Sequence, residues 1–350
     1  MLDGVNQNFR FGQNLFIFFT MFLLIILSVA SFLLSFSITF WVKQYLSQKL
    51  VDIPNERSSH TQPTPRGGGL GFVLGFAVTD LVFHSQTHLP LSPQLWLFLT
   101  PLILVSLIDD YQGVPSSIRY FVQLITATLV VFKLGSFPLF GLSDWGMGGQ
   151  TLALVLTVIG MTALINFYNF MDGLDGFVAS ISLVQISFIA LQFKQPYLLL
   201  LVAALFGFLW WNWSPAKIFM GDVGSTFLGA IVAISLLFIF PERPIEARAA
   251  LALTLPLTGD AIYTLIRRFF KRENILKSHR SHLYQRLHQA GWSHRQVALT
   301  YLASSFVIIL LLKFIGSMGA WISLASICGT IAICEFYLKS KKKTPVSRRK

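Results

Sequence analysis

Four polar side chains recur at every third position in one short stretch of this sequence: Asn166, Asn169, Asp172 and Asp175. On a helix end or a 3₁₀ turn, that spacing places side chains on one side. The glycines at 173 and 176 let the backbone turn and come close to a ligand. A helix cap followed by a glycine turn is the alternative interpretation, but a cap needs one such residue rather than four. The series therefore predicts a ligand-binding site.

A second stretch, residues 212–225, surrounds one acidic residue with helix-breaking residues. Pro215 ends a helix, two glycines flank Asp222, and Ser225 opens the next helix. Asp222 is therefore expected at a helix N-terminus, where backbone N–H groups can meet a phosphate. Phe219 could stack on a base or anchor the chain at the membrane interface.

Asp109 and Asp110 are adjacent in sequence, so their side chains need not point together. One could bind a metal or act as a base, because a nearby like charge raises a carboxyl pKa. The other could cap the turn before Gly113, and a solvated helix end is the alternative for both. Carboxylates gathered at one face repel one another unless a cation lies among them, and magnesium is the natural occupant beside a phosphate substrate.

Basic residues concentrate in the connection 267–296, which includes the sequence Ser-His-Arg-Ser-His from Ser278 to His282. Arginine binds phosphate oxygens in bidentate fashion, so this connection could bind a pyrophosphate-bearing nucleotide. Binding of lipid headgroups is the alternative. His60 and Arg66, in an earlier loop, are further candidate phosphate contacts. Asp260 is expected to have a structural or orienting role, and Asp80 has no assigned role.

Composition shows which elements must position these residues. Of the 350 residues, 54% are hydrophobic and 12% are charged, against roughly 25% charged in soluble domains. Apolar runs of about 20 residues are long enough to cross a bilayer as helices. Eleven spans are predicted: 15–41, 68–83, 94–108, 118–134, 151–168, 176–193, 196–212, 224–240, 249–266, 297–313 and 318–338. The expected fold is all-α, a polytopic membrane helix bundle, with one domain over 1–338 and a basic tail at 339–350.

The basic residues also predict the orientation. An odd number of spans places the termini on opposite sides, and 21 of the 27 lysines and arginines then fall on one side. By the positive-inside rule that side is cytoplasmic, and it also holds the carboxylates and the C-terminus. The first span is too long for a signal-peptide core, so it is expected to be retained. Cys328 and Cys334 are expected to be packing residues, with no disulfide or thiolate metal site.

The motifs together resemble a known family. The loop with PNERSSH and PTPRGGG, the Asp109-Asp110 pair, NFMDGLDG, FMGDVGS and the SHRSH sequence occur in this order between about 43 and 290. They are similar to those of the polyprenyl-phosphate N-acetylhexosamine-1-phosphate transferases (glycosyltransferase family 4), relatives of phospho-N-acetylmuramoyl-pentapeptide transferase.

The resemblance implies ten or eleven helices around a cytoplasmic cleft in a bacterial inner membrane. It also implies magnesium, with manganese as a substitute, a UDP-N-acetylhexosamine donor and an undecaprenyl phosphate acceptor. Membrane lipid is a further expected partner, nucleic acid is not expected, and the oligomeric state, a homodimer included, is left open.

The resemblance also assigns roles by motif position. Asp222 would bind the metal, with Asp109 and Asp172 as further ligands. Asp109 and Asp110 would serve the acceptor phosphate. The remaining nominated residues divide into a catalytic group, which is Asp172, Asp175 and His282, and a substrate-binding group, which is Asn169, Asn212, Phe219, Arg66, His279 and Arg280.

The histidine motif departs from the peptidoglycan and N-acetylglucosamine branches, because Tyr284 and Gln285 follow His282 and Leu283. This form resembles the branch that starts O-antigen or related surface glycans. The predicted reaction yields a polyprenyl diphosphate-linked sugar and UMP. The alternatives are a peptidoglycan lipid I-type transferase and, in another class, a cation-coupled transporter.

Overall fold

The computed structural model describes residues 2–46, 50–52, 54, 62–87, 93–139, 141–239, 241–274 and 279–343. These described residues form the following α-helices: α1 Leu2–Trp41, α2 Gly69–Thr87, α3 Pro93–Gln112, α4 Ser116–Leu134, α5 Gly146–Met171, α6 Phe177–Gln192, α7 Leu198–Asn212, α8 Asp222–Ile239, α9 Pro244–Ala250, α10 Leu255–Phe270, α11 Leu283–Gln289, α12 His294–Ile315 and α13 Ser317–Lys343. Two short strands, β1 Val51–Asp52 and β2 Thr64–Pro65, pair antiparallel. The candidate contact His60 lies outside the described residues.

Each predicted span coincides with helical structure, although the bounds differ. The helix α5 is longer at both ends than the predicted 151–168. The ninth span is not one helix, because α9 passes through a 3₁₀ turn at Leu251–Thr254 into α10, where Pro256 occupies the first turn. The connection 267–296 is also not only a loop, since it contains α11. The predicted tail begins as helix, because α13 continues to Lys343.

Eight helical segments of the described chain are long and apolar enough to cross a membrane. They are Phe16–Tyr45, Pro93–Gln112, Ser116–Leu134, Gly146–Met171, Asp222–Ile239, Pro244–Phe270, His294–Ile315 and Ser317–Lys341. The helices α6 and α7 are apolar but shorter. Large apolar side chains such as Phe18 and Phe132 point outward, as in a protein surrounded by lipid. The predicted all-α, multi-pass membrane architecture is confirmed.

The helix α8 forms the centre of the bundle, since 89% of its apolar stretch is buried. It packs against α2, α3 and α5. Its first residue, Asp222, is therefore held where several helices end together. This arrangement makes the α8 N-terminus the fixed point of the candidate site.

Asp80 shows how an acidic residue is accommodated inside this bundle. It is 1% exposed, and its Oδ2 accepts a hydrogen bond of 2.8 Å from Trp96 Nε1. It lies eleven residues after Gly69 on α2, which is about 16 Å along the helix. Asp80 therefore links α2 to α3 far from the α8 N-terminus.

Two glycines bring α2 and α8 into direct backbone contact. A Cβ placed on Gly69 would lie 2.5 Å from Gly224 Cα, and backbone cannot move away cheaply. Gly69→Ala is expected to destabilise the protein by about 2 kcal/mol, because overpacking forces the two helix starts apart. Gly160→Ala is the matched control, since nothing lies within 4 Å of a Cβ there. Thermal unfolding in detergent measures both variants, and equal melting temperatures would contradict the close packing.

Candidate active site

A pocket of about 270 Å³ opens where α5 and α7 end and α8 begins. Eight of the nominated residues line it: Arg66, Asp110, Asn169, Asp172, Asp175, Asn212, Phe219 and Asp222. The structure thus brings together carboxylates from three separate segments. The other four nominated residues, Asp109, His279, Arg280 and His282, do not line this pocket.

The four-residue polar series divides at the end of α5. Asp172 follows the last helical residue, and Asn169 and Asp175 share the pocket with it. Asn166 does not, because its Nδ2 donates to Gln123 Oε1 on α4 at 2.6 Å. Asn166 instead lines a small neighbouring cavity, which it shares with Asn169 and Asp222.

Asp172 is the carboxylate without a compensating partner. No group in the described part of the chain donates a hydrogen bond to its side chain. Burial, and then the carboxylates of Asp222, Asp110 and Asp175, raise the pKa of Asp172 well above its ordinary value. A cation in the pocket would reverse this effect, and a carboxylate facing the pocket without a donor is suited to hold one.

Asp175 is held by donors instead. Its Oδ2 lies 3.1 Å from His294 Nδ1 and accepts the Ala216 N–H at 3.1 Å. Burial opposes ionisation, but these groups and the Ser214 hydroxyl together lower the pKa of the Asp175 carboxyl below its usual value. The two acids of the DGLDG segment therefore differ in kind: Asp175 is a fixed anion and Asp172 needs a counter-ion.

Asp110 holds the start of α8. Its two oxygens accept the backbone N–H groups of Asp222 and Val223 at 2.9 and 3.2 Å. Gly221, with φ +76°, makes this approach possible, since a Cβ there would lie 2.5 Å from Asp110 Oδ2. Two of the N–H groups at the start of α8 are therefore bound by a protein carboxylate.

Arg119 joins the two remaining carboxylates. Its Nη1 lies 2.5 Å from Asp109 Oδ2 and 2.7 Å from Asp222 Oδ2. Asp109 Oδ1 accepts the Val114 N–H at 2.6 Å, so Asp109 caps the turn at Gly113 that the sequence assigned to one of the pair. Sequence reasoning did not nominate Arg119. The available signal was its place as the sole arginine or lysine of segment 109–119.

The loop carrying Phe219 is tied to both neighbouring segments. Gly68 N–H donates to Phe219 O, and Phe219 N–H donates to Pro65 O, at 2.9 and 2.8 Å. Asn212 bridges two segments, because its Oδ1 accepts the Gly176 N–H and its Nδ2 donates to Ile218 O. The two hydrogen bonds of Asn212 hold the pocket wall that includes the half-buried Phe219 ring.

Arg66 brings a cation to the same wall. Its side chain lines the pocket and interacts electrostatically with Asp110. Its buried Nε has no hydrogen-bond partner in the described residues. An anionic ligand in the pocket would supply one.

Asp260 does for α11 what Asp110 does for α8. Its oxygens accept the N–H groups of Leu283 and Tyr284 at 2.7 and 3.0 Å, and the Tyr301 hydroxyl at 2.8 Å. The orienting role predicted for Asp260 is confirmed. His282, 4% exposed, lies beside this carboxylate rather than in the pocket, with Nδ1 at 3.8 Å from Asp260 Oδ1.

Gln285 and His294 line the pocket although neither was nominated. Gln285 is in the first turn of α11, so the Asp260 cap fixes its position. His294 is the first residue of α12, after the N-cap Ser293 and its capping partner Gln296. That Ser-His-Arg-Gln sequence is a helix-start signature, and it was the available signal for His294.

His279 and Arg280 precede α11 at the edge of the site. Burial, followed by His282 and Arg268, lowers the pKa of the half-buried His279 to about 4. At neutral pH the ring is therefore uncharged and would contact a substrate only as a hydrogen-bonding group. Arg280 acts electrostatically on Tyr284.

The lowered pKa predicts a loss of stability in acid. The unfolded histidine, with a pKa near 6.5, binds more protons than the folded one, so stability falls as pH drops from about 6.5 towards 4. His279→Gln is expected to reduce this loss by on the order of 1 kcal/mol, a value discounted because the ring is partly exposed. Melting temperatures of both proteins at pH 7.5 and 5 test this. An identical acid shift in both would contradict it.

The donor set fits a hard divalent cation that arrives with its substrate. The described residues hold no ready-made group of three His, Cys, Asp or Glu side chains for a metal. Magnesium, however, is usually bound by one or two carboxylates together with substrate phosphates. Asp172 and Asp222, on one pocket, offer such a pair.

Comparison with known proteins places the chain among enzymes. A family model described as glycosyl transferase family 4 matches residues 93–239. The "Probable undecaprenyl-phosphate N-acetylglucosaminyl 1-phosphate transferase" of Bacillus subtilis is 30% identical over 288 residues, covering 78% of this chain and 79% of that protein. The decaprenyl-phosphate N-acetylglucosaminephosphotransferase of Mycolicibacterium smegmatis is 30% identical over 71% of each chain.

A phospho-N-acetylmuramoyl-pentapeptide-transferase, from Carboxydothermus hydrogenoformans, is 27% identical over 71% of this chain and 83% of its own. The motifs, the helical bundle and these relatives agree. The chain belongs to glycosyl transferase family 4, the family of the polyprenyl-phosphate N-acetylhexosamine-1-phosphate transferases.

Proposed function

We propose that this protein transfers N-acetylhexosamine 1-phosphate from a UDP-sugar to undecaprenyl phosphate, giving a polyprenyl diphosphate-linked sugar and UMP. The observation that carries the proposal is the partnerless Asp172 carboxylate facing a pocket shared with Asp222 and Arg66. The names of the relatives support the polyprenyl phosphate acceptor.

Asp172 and Asp222 would hold magnesium together with the donor diphosphate. When bound, the metal would neutralise charge on the diphosphate and on the leaving UMP. Arg66 would contact the same phosphates with its unpaired Nε, as guanidinium groups do. The nucleoside would lie against the Phe219 ring, with Asp175 fixed beside it by His294.

Direct attack by the acceptor is the mechanism that the contacts favour. An acceptor phosphate oxygen forms a bond to the donor β-phosphorus, and the bond from that phosphorus to the bridging oxygen breaks, so that UMP leaves. A phosphate is already a nucleophile when deprotonated and needs little help from a base. An aspartyl-phosphate on Asp109 or Asp110 is less supported, because both carboxylates are occupied by backbone N–H groups or Arg119.

Arg119 is the residue placed to receive the acceptor phosphate. Its side chain is 36% exposed and extends from the membrane-spanning helix α4. The guanidinium group contacts Asp109 of α3 and Asp222 of α8. For the polyprenyl chain, the fold offers an apolar groove of about 660 Å³ between α5, α8, α10 and α13. The groove reaches Phe167, one turn before the end of α5 at the pocket.

The proposal includes a location and a pathway. The pocket would face the cytoplasm at a bacterial inner membrane, as the distribution of basic residues predicts. The product would start an O-antigen-type surface glycan, on the evidence of Tyr284 and Gln285 in the histidine motif. A lipid I-type peptidoglycan enzyme is the competing proposal, and the identity of the donor sugar distinguishes the two.

The test is purified protein with undecaprenyl phosphate, magnesium and a panel of UDP-N-acetylhexosamines, including UDP-N-acetylmuramoyl-pentapeptide. The proposal expects UMP release that EDTA abolishes, and a lipid product whose mass identifies the sugar. Metal-independent solute flux without UMP would instead indicate a transporter. Turnover of the muramoyl-pentapeptide donor alone would indicate the peptidoglycan reaction.

A further inference from the structure

Two lysine ammonium groups share one indole ring at the pocket end of the bundle. Lys43 Nζ and Lys217 Nζ each lie 5.4 Å from the centroid of the Trp211 ring. Neither forms an ion pair with a carboxylate in the part of the chain that the structure describes. Because both ammonium groups lie over the same ring, they are at most about 11 Å apart, and binding of an anion near them would lower their mutual repulsion.

The surrounding residues indicate what kind of anion. Trp41 and Tyr45, two residues before and after Lys43, are 53% and 65% exposed, and Trp210, next to Trp211 in the sequence, is 67% exposed. Exposed tryptophan and tyrosine rings lie at the headgroup level of a bilayer. An anion at this depth is the headgroup of a phospholipid, and the exposed rings would lie beside the glycerol and the upper acyl chains.

Trp211 gives the site a fixed base. Its Nε1 donates a hydrogen bond to Phe36 O on α1 at 3.2 Å. The ring centroids of Trp211 and Phe36 are 5.0 Å apart. Lys43 follows α1, whereas Lys217 follows α7. The two cations are therefore supplied by different segments that meet on one rigid aromatic side chain.

Lys217 also belongs to the loop that forms the pocket wall. Its N–H donates to Trp211 O at 2.8 Å. The preceding residue, Ala216, donates to Asp175, and the following residue, Ile218, accepts from Asn212. A ligand that restrains the Lys217 side chain would therefore restrain the wall formed by Asp175 and Phe219.

We propose that Lys43, Lys217 and Trp211 bind the headgroup of an anionic phospholipid, and that this lipid stabilises the donor-binding conformation of residues 213–221. The evidence for the lipid-binding site is the lysine pair over Trp211. The effect of the lipid on donor binding rests on the proposed function. The site differs from the acceptor groove, which lies between α5, α8, α10 and α13.

Binding is tested with purified protein in phosphatidylcholine nanodiscs that contain phosphatidylglycerol, by native mass spectrometry of retained lipid. The wild type is expected to retain phosphatidylglycerol in preference to phosphatidylcholine. Each lysine is expected to raise the ratio of retained phosphatidylglycerol to phosphatidylcholine about fivefold. The double variant Lys43→Gln/Lys217→Gln is expected to show a ratio of retained lipids at least tenfold lower than that of the wild type.

The matched control is Lys339→Gln with Lys341→Gln, which removes two exposed cations from the same end, one of them over the Tyr337 ring. It is expected to change the preference less than threefold. The proposal is overturned if the Lys43 and Lys217 double variant keeps its preference, or if the control loses as much.

The effect on the pocket is tested by the KM for the UDP-sugar donor. Phosphatidylglycerol is expected to lower that KM about fivefold in the wild type and to leave it unchanged in the Lys43 and Lys217 double variant. Soluble glycerol 1-phosphate is expected to have no effect, and a lowering of KM by it would overturn a lipid ligand. If no donor is turned over at all, the proposed function fails, while lipid retention still decides the binding site.

Discussion

Asp172→Asn is expected to lower the rate of UMP release by about 1000-fold, with the melting temperature unchanged or raised. The amide keeps the size of the carboxylate but carries no charge to hold a cation with the diphosphate. Stability should not fall, because the carboxylate accepts no hydrogen bond from the described residues and is repelled by Asp110, Asp175 and Asp222. Steady-state assays at saturating magnesium, together with thermal unfolding, measure both quantities.

Asp80→Asn is the control for this prediction. It makes the same chemical change at a buried carboxylate that lies far along α2 and binds Trp96 through one oxygen. UMP release by this variant is expected to stay within about twofold of the wild type, as for a site that touches no substrate. A wild-type rate for Asp172→Asn, or an equal loss for both variants, would contradict the role given to Asp172.

Asp260→Ala is expected to be among the most destabilising substitutions in the chain, at about 3–5 kcal/mol. The change leaves the buried N–H groups of Leu283 and Tyr284 and the hydroxyl of Tyr301 without an acceptor. It therefore releases α11, which carries Gln285 to the pocket. A fall in melting temperature on the order of 5–10 °C is expected.

A graded series separates this cap from a general effect of mutation. Asp260→Asn retains one acceptor oxygen and should lose roughly half as much stability, whereas Tyr301→Phe removes one donor and should lose about 1 kcal/mol. The interpretation of Asp260 as a helix cap would be wrong if the Asp260→Ala and Asp260→Asn variants both had melting temperatures close to that of the wild type.

The sequence was sufficient for the architecture because membrane solvation constrains it strongly. Every apolar run had to become a helix, since backbone groups in lipid must be paired within the segment. All eleven predicted spans have helical counterparts for this reason. The break between α9 and α10 was less accessible, because Pro256 is compatible with the first turn of a helix as well as with a break.

The sequence also identified the segments that meet at the pocket, but not which partner each side chain takes. Asp110 was a candidate for chemistry, and its oxygens are occupied by the N-terminus of α8. Asn212 was a candidate substrate contact, and it is a strut between two loops. Such pairings depend on the approach of helices distant in sequence, which local spacing does not encode.

Arg119 illustrates the same limit from the other direction. Spacing along α4 gives no sign that its guanidinium reaches both Asp109 and Asp222, which are 10 and 103 residues away. His294 likewise meets Asp175 only because α12 begins beside the end of α5. Basic and polar residues near a membrane interface have many roles, so neither residue could be distinguished from other interfacial residues by type alone.

The central claim is that Asp172 and Asp222 hold a divalent ion together with the donor diphosphate. Electron paramagnetic resonance of bound Mn²⁺ tests it most directly, in wild type, Asp172→Asn and Asp222→Asn, with and without UDP-sugar. We expect one tightly bound Mn²⁺ per wild-type chain only when the UDP-sugar is present, and at least tenfold weaker binding in each variant. Mn²⁺ affinity that is equal in all three proteins would contradict the account.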